Sequence, residues 1–388
     1  MPKLPIEGVK PELSRLYRRM KRLPLVIDAI QYRNPPHIQR EIERETDVPQ
    51  TTVSRMMRSL NNERIRFRAD YNVADFRLSL AIVTARPPTR TAWETLPYKH
   101  YVSLLATTLT GELLVIYRYP DVLSHEHLKE RLKTSLKTSN INLDVFSYTG
   151  LAKPSITHYL ENLKPKEKLD PLKALKINED HPTKPFTSLT DLFKPVYNKQ
   201  HRKKYRITLD QTDLFLLAML EKNTVLSKKA FIQALREQLH IFNEPEGKAM
   251  KHYSHIRRKL KGSRAMILDT AKLLSVVIVG KTVKRCANNM LQEMATYFYA
   301  INLATDNRGK IAVNFSLPPS MVQTLIDYFK NRCKFDDLKV YVWPISNIMI
   351  SRVFPFRNYN FFARQWILDE RVLEEQHKKL IMRGYKIF

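Results

Sequence analysis

The sequence is short of glycine, cysteine and acid. Its 388 residues include only 8 glycines and 2 cysteines. Neither GxxxxGK[ST] nor GxGxxG occurs, so the backbone cradles that hold nucleotide phosphates are missing. Cys286 and Cys333 are too few for a disulfide framework or a Cys-based zinc site. They read as small buried apolar groups, and a reducing intracellular setting is the default. The longest apolar run, residues 273–279, falls far short of the roughly 18 residues of a membrane span. The first residues carry no signal-peptide core. A cytoplasmic protein without membrane contact is expected.

The shortage of acid matters most. Against 66 Lys and Arg stand 38 Asp and Glu, a formal charge of +28. Hydrophobic residues make up 43% of the chain, enough to bury cores, so this is no disordered basic tail. Self-repulsion at such a charge opposes compaction unless a polyanion neutralises it. Nucleic acid is the first candidate and an anionic membrane surface the second.

Periodicity divides the chain into about two repeats of one plan. Residues 12–33 read as a basic amphipathic helix that ends at Asn34-Pro35-Pro36. Ile38, Ile42 and Val48 mark a short helix stopped by Pro49. Val53, Met56, Met57 and Leu60 recur at helical spacing over residues 50–60. Along the following polar arm, Arg64, Arg66 and Arg68 alternate, which puts their guanidinium groups on one side of an extended ribbon. Residues 1–75 thus read as a winged helix-turn-helix. Residues 76–150 follow another rhythm: a strand at 76–85, a Pro-containing segment expected to hold a helix, and a hairpin around Thr110-Gly111. A helix capped by Ser124 and a strand at 141–148 complete the βαββαβ order of a ferredoxin-like sandwich. Residues 151–206 have six prolines and no sustained period, and read as a linker that ends in a basic run at 199–206. The plan then returns, as a helix-turn-helix-like domain at 207–272 and a second sandwich at 273–345. An aromatic and basic extension covers 346–388. The fold class is α+β.

Helix-turn-helix followed by βαββαβ resembles the leucine-responsive regulatory protein family (Lrp/AsnC). The resemblance is carried by residues 36–60, by the strand at 76–85, by the hairpin Thr110-Gly111-Glu112-Leu113-Leu114-Val115, and by the opening helix at 209–217. It implies a DNA-binding transcription regulator, with one chain carrying what that family builds from two subunits: a pseudo-dimer within the chain. The second half departs from the pattern in lacking a basic wing, and no effector site can be traced.

The candidate nucleic-acid contacts follow from charge and spacing. Gln50, Thr51, Thr52, Ser54, Arg55 and Arg58 offer exposed donors on the candidate recognition helix, suited to phosphates and base edges. Arg64, Arg66 and Arg68 repel one another on their ribbon without a phosphate partner. In the second half Lys251, His255, Arg257, Arg258 and Lys259 crowd a helix without interleaved acids, and Arg202, Lys203 and Lys204 lie in the basic run. In the extension, Phe354, Phe356, Tyr359, Phe361, Phe362 and Trp366 alternate with Arg352, Arg357 and Arg364. Such alternation can stack bases but more often packs on a neighbouring domain or a symmetry mate. His125-Glu126-His127 has the wrong spacing for two metal ligands on one helical face and reads as a helix start. No catalytic triad, carboxylate pair or metal constellation is legible. Neither a cofactor nor enzymatic activity is expected.

Two functions fit. One is the DNA-binding regulator on double-stranded DNA. The alternative is a ribosome-associated factor that binds rRNA or a ribosomal subunit through winged helices used as phosphate-binding modules. A homodimer through the sheets or the extension is compatible with either.

Overall fold

Apolar side chains at helical spacing close the first head. The computed structural model describes residues 21–33, 39–62, 65–86, 93–157, 210–222, 224, 232–234, 246–267, 273–297, 299–360 and 363–382. Helix α1 spans Leu23–Tyr32, α2 Gln39–Thr46 and α3 Gln50–Asn62. Val26, Ile27 and Ile30 meet Ile42, Val53, Met56 and Leu60 in one buried cluster. The described part of α1 is therefore a core helix rather than the basic amphipathic one expected, with eight of its ten residues buried. Strand β1 (Ile65–Ala69) follows as the wing.

The first sandwich comprises β2 (Leu78–Ala85), β3 (Val102–Thr107), β4 (Leu113–Pro120), α4 (His125–Leu136) and β5 (Ile141–Phe146). Ser124 Oγ accepts the N–H of His127 and caps α4, as its position predicts. The helix expected between the first two strands is corrected. The described residues there form two 3-10 turns, Trp93–Thr95 and Lys99–Tyr101. Pro97, which has no N–H to give, stands between them. Strand β6 (Tyr148–Leu151) then leaves this sheet altogether.

The second half holds α5 (Gln211–Lys222), α6 (Glu246–Arg257) and a wing strand, β7 (Ser263–Ile267). Its sandwich is β8 (Leu274–Lys281), α7 (Lys284–Thr296), β9 (Ala300–Thr305), β10 (Lys310–Leu317), α8 (Val322–Arg332) and β11 (Asp337–Pro344). The extension adds β12 (Ile348–Ser351), β13 (Tyr359–Asn360), β14 (Gln365–Trp366) and α9 (Glu370–Met382).

Both sheets have the antiparallel order of a ferredoxin-like sandwich, β3-β4-β2-β5 and β9-β10-β8-β11, and each gains a fifth strand from outside. Strand β6 leaves the first half to pair with β9, and β12 returns from the second to pair with β3. The sheets face each other through Ile82, Ala106, Leu114 and Phe146 on one side and Val277, Val279, Ala304, Ala312 and Trp343 on the other. The wings pair as well, antiparallel from Ile65↔Ile267 to Ala69↔Ser263. Gly262 leads into β7 at φ +108°, and a Cβ there would lie 2.4 Å from the Gln31 carbonyl oxygen of α1.

Cys286 and Cys333 form a disulfide, with Cα atoms 6.0 Å apart. This corrects their reading as separate apolar groups: the β9–β10 hairpin between the two helices brings the start of α7 beside the end of α8. The extension packs on the first sandwich, where Phe354, Phe356, Trp366 and Leu373 are buried in its core. Phe361 and Phe362 lie outside the described residues. Among the described residues no helix is long and apolar enough to cross a membrane.

Candidate functional site

Side chains alternate across a strand, so β4 serves two layers. Val115, Tyr117 and Tyr119 enter the core behind the first sheet. Leu114, Ile116 and, by the same alternation, Arg118 face the second sheet. There the packing between sheets gives way to a cavity of about 320 Å³. Its walls are apolar: Leu80, Ile82, Leu104 and Ile116 from one sheet, Val277, Leu303, Ala304 and Ala312 from the other. Arg68, Tyr71, Arg118, Glu221, Asn302, Asn314 and Arg352 supply its polar lining.

Glu221 organises that lining. It ends the apolar helix α5 and is only 5% exposed. Arg118 Nη2 lies 2.6 Å from its Oε1 and Arg118 Nη1 donates to its Oε2 at 2.9 Å. Arg68 Nη2 reaches Oε1 at 2.6 Å, and the Phe354 N–H donates to Oε2 at 2.6 Å. Arg118 Nη1 also donates to the Tyr71 hydroxyl, at 2.8 Å. Burial alone would raise the Glu221 carboxyl, but Arg118 and Arg68 overcome it and hold it at about 2. Glu221 stays ionised, and two guanidinium groups share its one charge. Arg352 brings a third to the same cavity. Arg68 Nε and Asn314 Oδ1, both lining it, are buried and have no hydrogen-bond partner. An apolar chamber with surplus positive charge and unused polar atoms suits an anion with an apolar body.

A second, smaller cavity of about 20 Å³ also has Arg118 and Arg352 in its wall. Here the His100 and His377 rings meet at a tilt of 53° with centroids 4.2 Å apart, and His377 Nε2 lies 3.1 Å from Asn358 Oδ1. Both nitrogens of His100, and Nδ1 of His377, are buried without a partner. Burial, with Lys99 and Arg352 nearby, lowers His100 to about 4. Burial, with His100 and Arg352, lowers His377 to about 3. Both imidazoles are neutral at neutral pH.

The residues singled out for nucleic acid fall into three groups. Gln50, Thr51, Arg55, Arg58 and Arg66 are exposed, and Thr52 and Ser54 are half-buried. Lys251 and Arg258 are exposed on α6 and just beyond it. The others are engaged inside the protein. Arg68 is held by Glu221. Arg257 Nη2 meets Glu41 Oε2 at 2.6 Å. His255 Nδ1 lies 2.8 Å from Asp213 Oδ2, and Lys259 is fully buried. The acids missing from the second basic helix come from α2 and α5, which a reading confined to that helix could not see. Arg64, Arg202, Lys203 and Lys204 lie outside the described residues. Arg118, Glu221, Asn302 and Asn314 were missed. The available signal was a charge inside the apolar strand 113–119, and another ending the apolar helix 214–220.

No family model matches the chain, and no curated protein does. Among solved structures, a crystal structure of the siroheme decarboxylase NirDL aligns with 92% of this chain and 99% of its own, at 10% identity and a TM-score of 0.42. The same enzyme in co-complex with an iron-uroporphyrin III analogue aligns with 95% and 99%, at 10% identity and a TM-score of 0.41. Likeness at this level assigns no substrate.

These structures are of an enzyme, and neither a DNA-binding regulator nor a ribosome factor is among them. The readings as regulator, as ribosome factor and as a chain without enzymatic activity are corrected accordingly. In the geometry, the first wing pairs with the strand β7, and of its arginines expected to meet phosphates Arg68 meets a carboxylate while Arg66 stays exposed.

Proposed function

We propose that the protein is of enzyme type and takes as substrate a small molecule with an apolar body and at least one carboxylate, bound between its two sheets. One observation carries this reading: three arginines and one buried glutamate line an apolar-walled cavity of about 320 Å³. Desolvated guanidinium groups in excess of carboxylates strongly favour an anion, and the fork of Arg matches a carboxylate in particular. Asn302 and Asn314, paired in register on the opposite sheet, offer neutral polar contacts to the rest of the ligand. The scaffold, in this reading, is an Lrp/AsnC-like dimer written into one chain, its dimer interface turned into the substrate chamber.

The test is a titration with apolar carboxylates, their uncharged esters and an iron uroporphyrin. Charge-assisted hydrogen bonds contribute about 1.5–3 kcal/mol, so each acid is expected to bind at least about tenfold more tightly than its ester. Arg352→Gln should weaken the acid alone, and Ala312→Phe, which fills the cavity, should weaken both. Equal binding of acid and ester, or binding unaffected by Ala312→Phe, overturns the reading.

A further inference from the structure

Away from the cavity, the second head gathers two carboxylates and two imidazoles where α5 packs on α6. Asp210 immediately precedes α5 and Asp213 lies in its first turn. His252 and His255 stand one turn apart on α6. His252 Nδ1 is 3.1 Å from Asp213 Oδ1 and 3.3 Å from Asp210 Oδ2. His255 Nδ1 is 2.8 Å from Asp213 Oδ2. Asp213 is buried, and the His252 side chain is only 13% exposed.

Part of this convergence is ordinary hydrogen bonding: Asp210 Oδ1 accepts the Asp213 N–H as the cap of α5, and His255 Nδ1 lies at hydrogen-bond distance from Asp213 Oδ2. That leaves Asp210 Oδ2, Asp213 Oδ1 and His252 Nδ1, where one Nδ1 faces two carboxylate oxygens. Around a four-coordinate ion with bonds of roughly 2.0–2.2 Å, tetrahedral geometry puts donor atoms roughly 3.3 Å apart. The His252 contacts, at 3.1 and 3.3 Å, match that spacing, and one donor atom each from Asp210, Asp213 and His252 lies within 4.8 Å of the other two. Imidazole nitrogens mixed with carboxylate oxygens select zinc-like ions over magnesium or calcium, which take oxygen almost exclusively.

We propose that Asp210, Asp213 and His252 hold one divalent transition-metal ion, zinc by the chemistry of its donors, which ties the start of α5 to α6, with His255 steadying Asp213 through its other oxygen. Lys259 interacts with both carboxylates and with Asp75. An incoming ion competes with that ammonium, which moderates affinity without changing selectivity. The site is independent of the inter-sheet cavity, although α5 connects them: Asp213 opens the helix whose last turn carries Glu221.

The experiment uses the full chain, stripped with a chelator, and zinc alone. Equilibrium dialysis with metal analysis should give one equivalent per chain, and cobalt in its place should give the visible spectrum of a tetrahedral nitrogen and oxygen site. His252→Ala/His255→Ala should lose the equivalent, whereas His127→Ala, on exposed α4 surface, should keep it. Asp210→Asn, at a half-exposed position the fold tolerates, should weaken zinc by about tenfold or more. It serves as the second variant if the double substitution does not fold. Less than one equivalent on the wild type overturns the proposal. So does zinc bound equally by wild type, Asp210→Asn and a folded double variant.

Discussion

The two sandwiches share a strand order and close in different ways. In the second, α7 and α8 cover the sheet with Met290, Leu291, Met294, Leu325 and Phe329, and the disulfide joins those helices. In the first, α4 is helped by parts from elsewhere: α5 from the second head, and Phe354, Trp366 and Leu373 from the extension. One half is sealed by its own segment, the other by segments borrowed from the second head and from the extension, the latter across more than 200 residues. The borrowed layer also carries the functional groups. Glu221, Arg352 and His377 all arrive with it, so the half that cannot close itself is the one that acquires a site.

This contrast can be broken at its strongest point. Glu221→Ala leaves Arg118 and Arg68 without their shared carboxylate in a buried site, and should cost about 3–5 kcal/mol, read from the denaturant midpoint. A loss below 1 kcal/mol would mean that the borrowed helix is not held by this network. Next in size is the seal of the second half. The disulfide closes a loop of 47 residues, and Cys286→Ser/Cys333→Ser should cost about 2–4 kcal/mol. Thermal melts with and without reductant should show the same loss in the wild type and none in the variant.

The third prediction sharpens the comparison through pH. His100 and His377 are lowered in the folded state to about 4 and about 3. The unfolded chain takes up protons near the ordinary value of about 6.5, so it binds more protons than the folded one below that pH. The stability due to neutral imidazoles is therefore complete above about pH 6.5 and lost as pH falls towards 4. The folded side is then lost from the His100–His377 contact, where Lys99, Arg352 and Arg357 add repulsion and Glu374 partly offsets it. His100→Phe/His377→Phe should flatten the unfolding midpoint between pH 6.5 and 4.5 relative to wild type; an unchanged slope would remove the pair from the account. The smallest effect is expected at the exposed face of α3. Arg55 and Arg58 are exposed, and Arg55→Ala and Arg58→Ala should each shift stability by less than about 0.5 kcal/mol.

Local pattern made much of the fold legible. Val53, Met56, Met57 and Leu60 marked α3, Thr110-Gly111 marked its hairpin, and Ser124 capped its helix, because each signal acts over a few residues. What escaped were pairings between distant segments. Nothing within 148–151 says that β6 belongs to the other sheet, and nothing within 263–267 says that it pairs with β1. The cavity escaped for the same reason. Arg118 and Glu221 are 103 residues apart, and each alone reads as a lone charge, one inside an apolar strand and one ending an apolar helix. His252 and His255 stood at helical spacing, but their basic neighbours drew attention to polyanions. The balancing acids lay on other helices.

The exchanged strands have a consequence for how the chain can be made and cut. An exposed strand edge is a template for another chain. In the described structure, β6 occupies the β9 edge of one sheet and β12 the β3 edge of the other. A fragment ending after β6 would present β3 bare and carry β6 with nothing to pair on, and the complementary fragment would do the reverse. Each fragment would hold the strand the other lacks. Produced alone, either should self-associate through its open edge; produced together, they should find each other. During synthesis the first sheet emerges complete except for β12, which follows it by some 200 residues, so the newly made half waits longest with its edge uncovered. Contacts that span such distances slow folding, which makes this protein a strong candidate for needing a chaperone at one identifiable strand, β3.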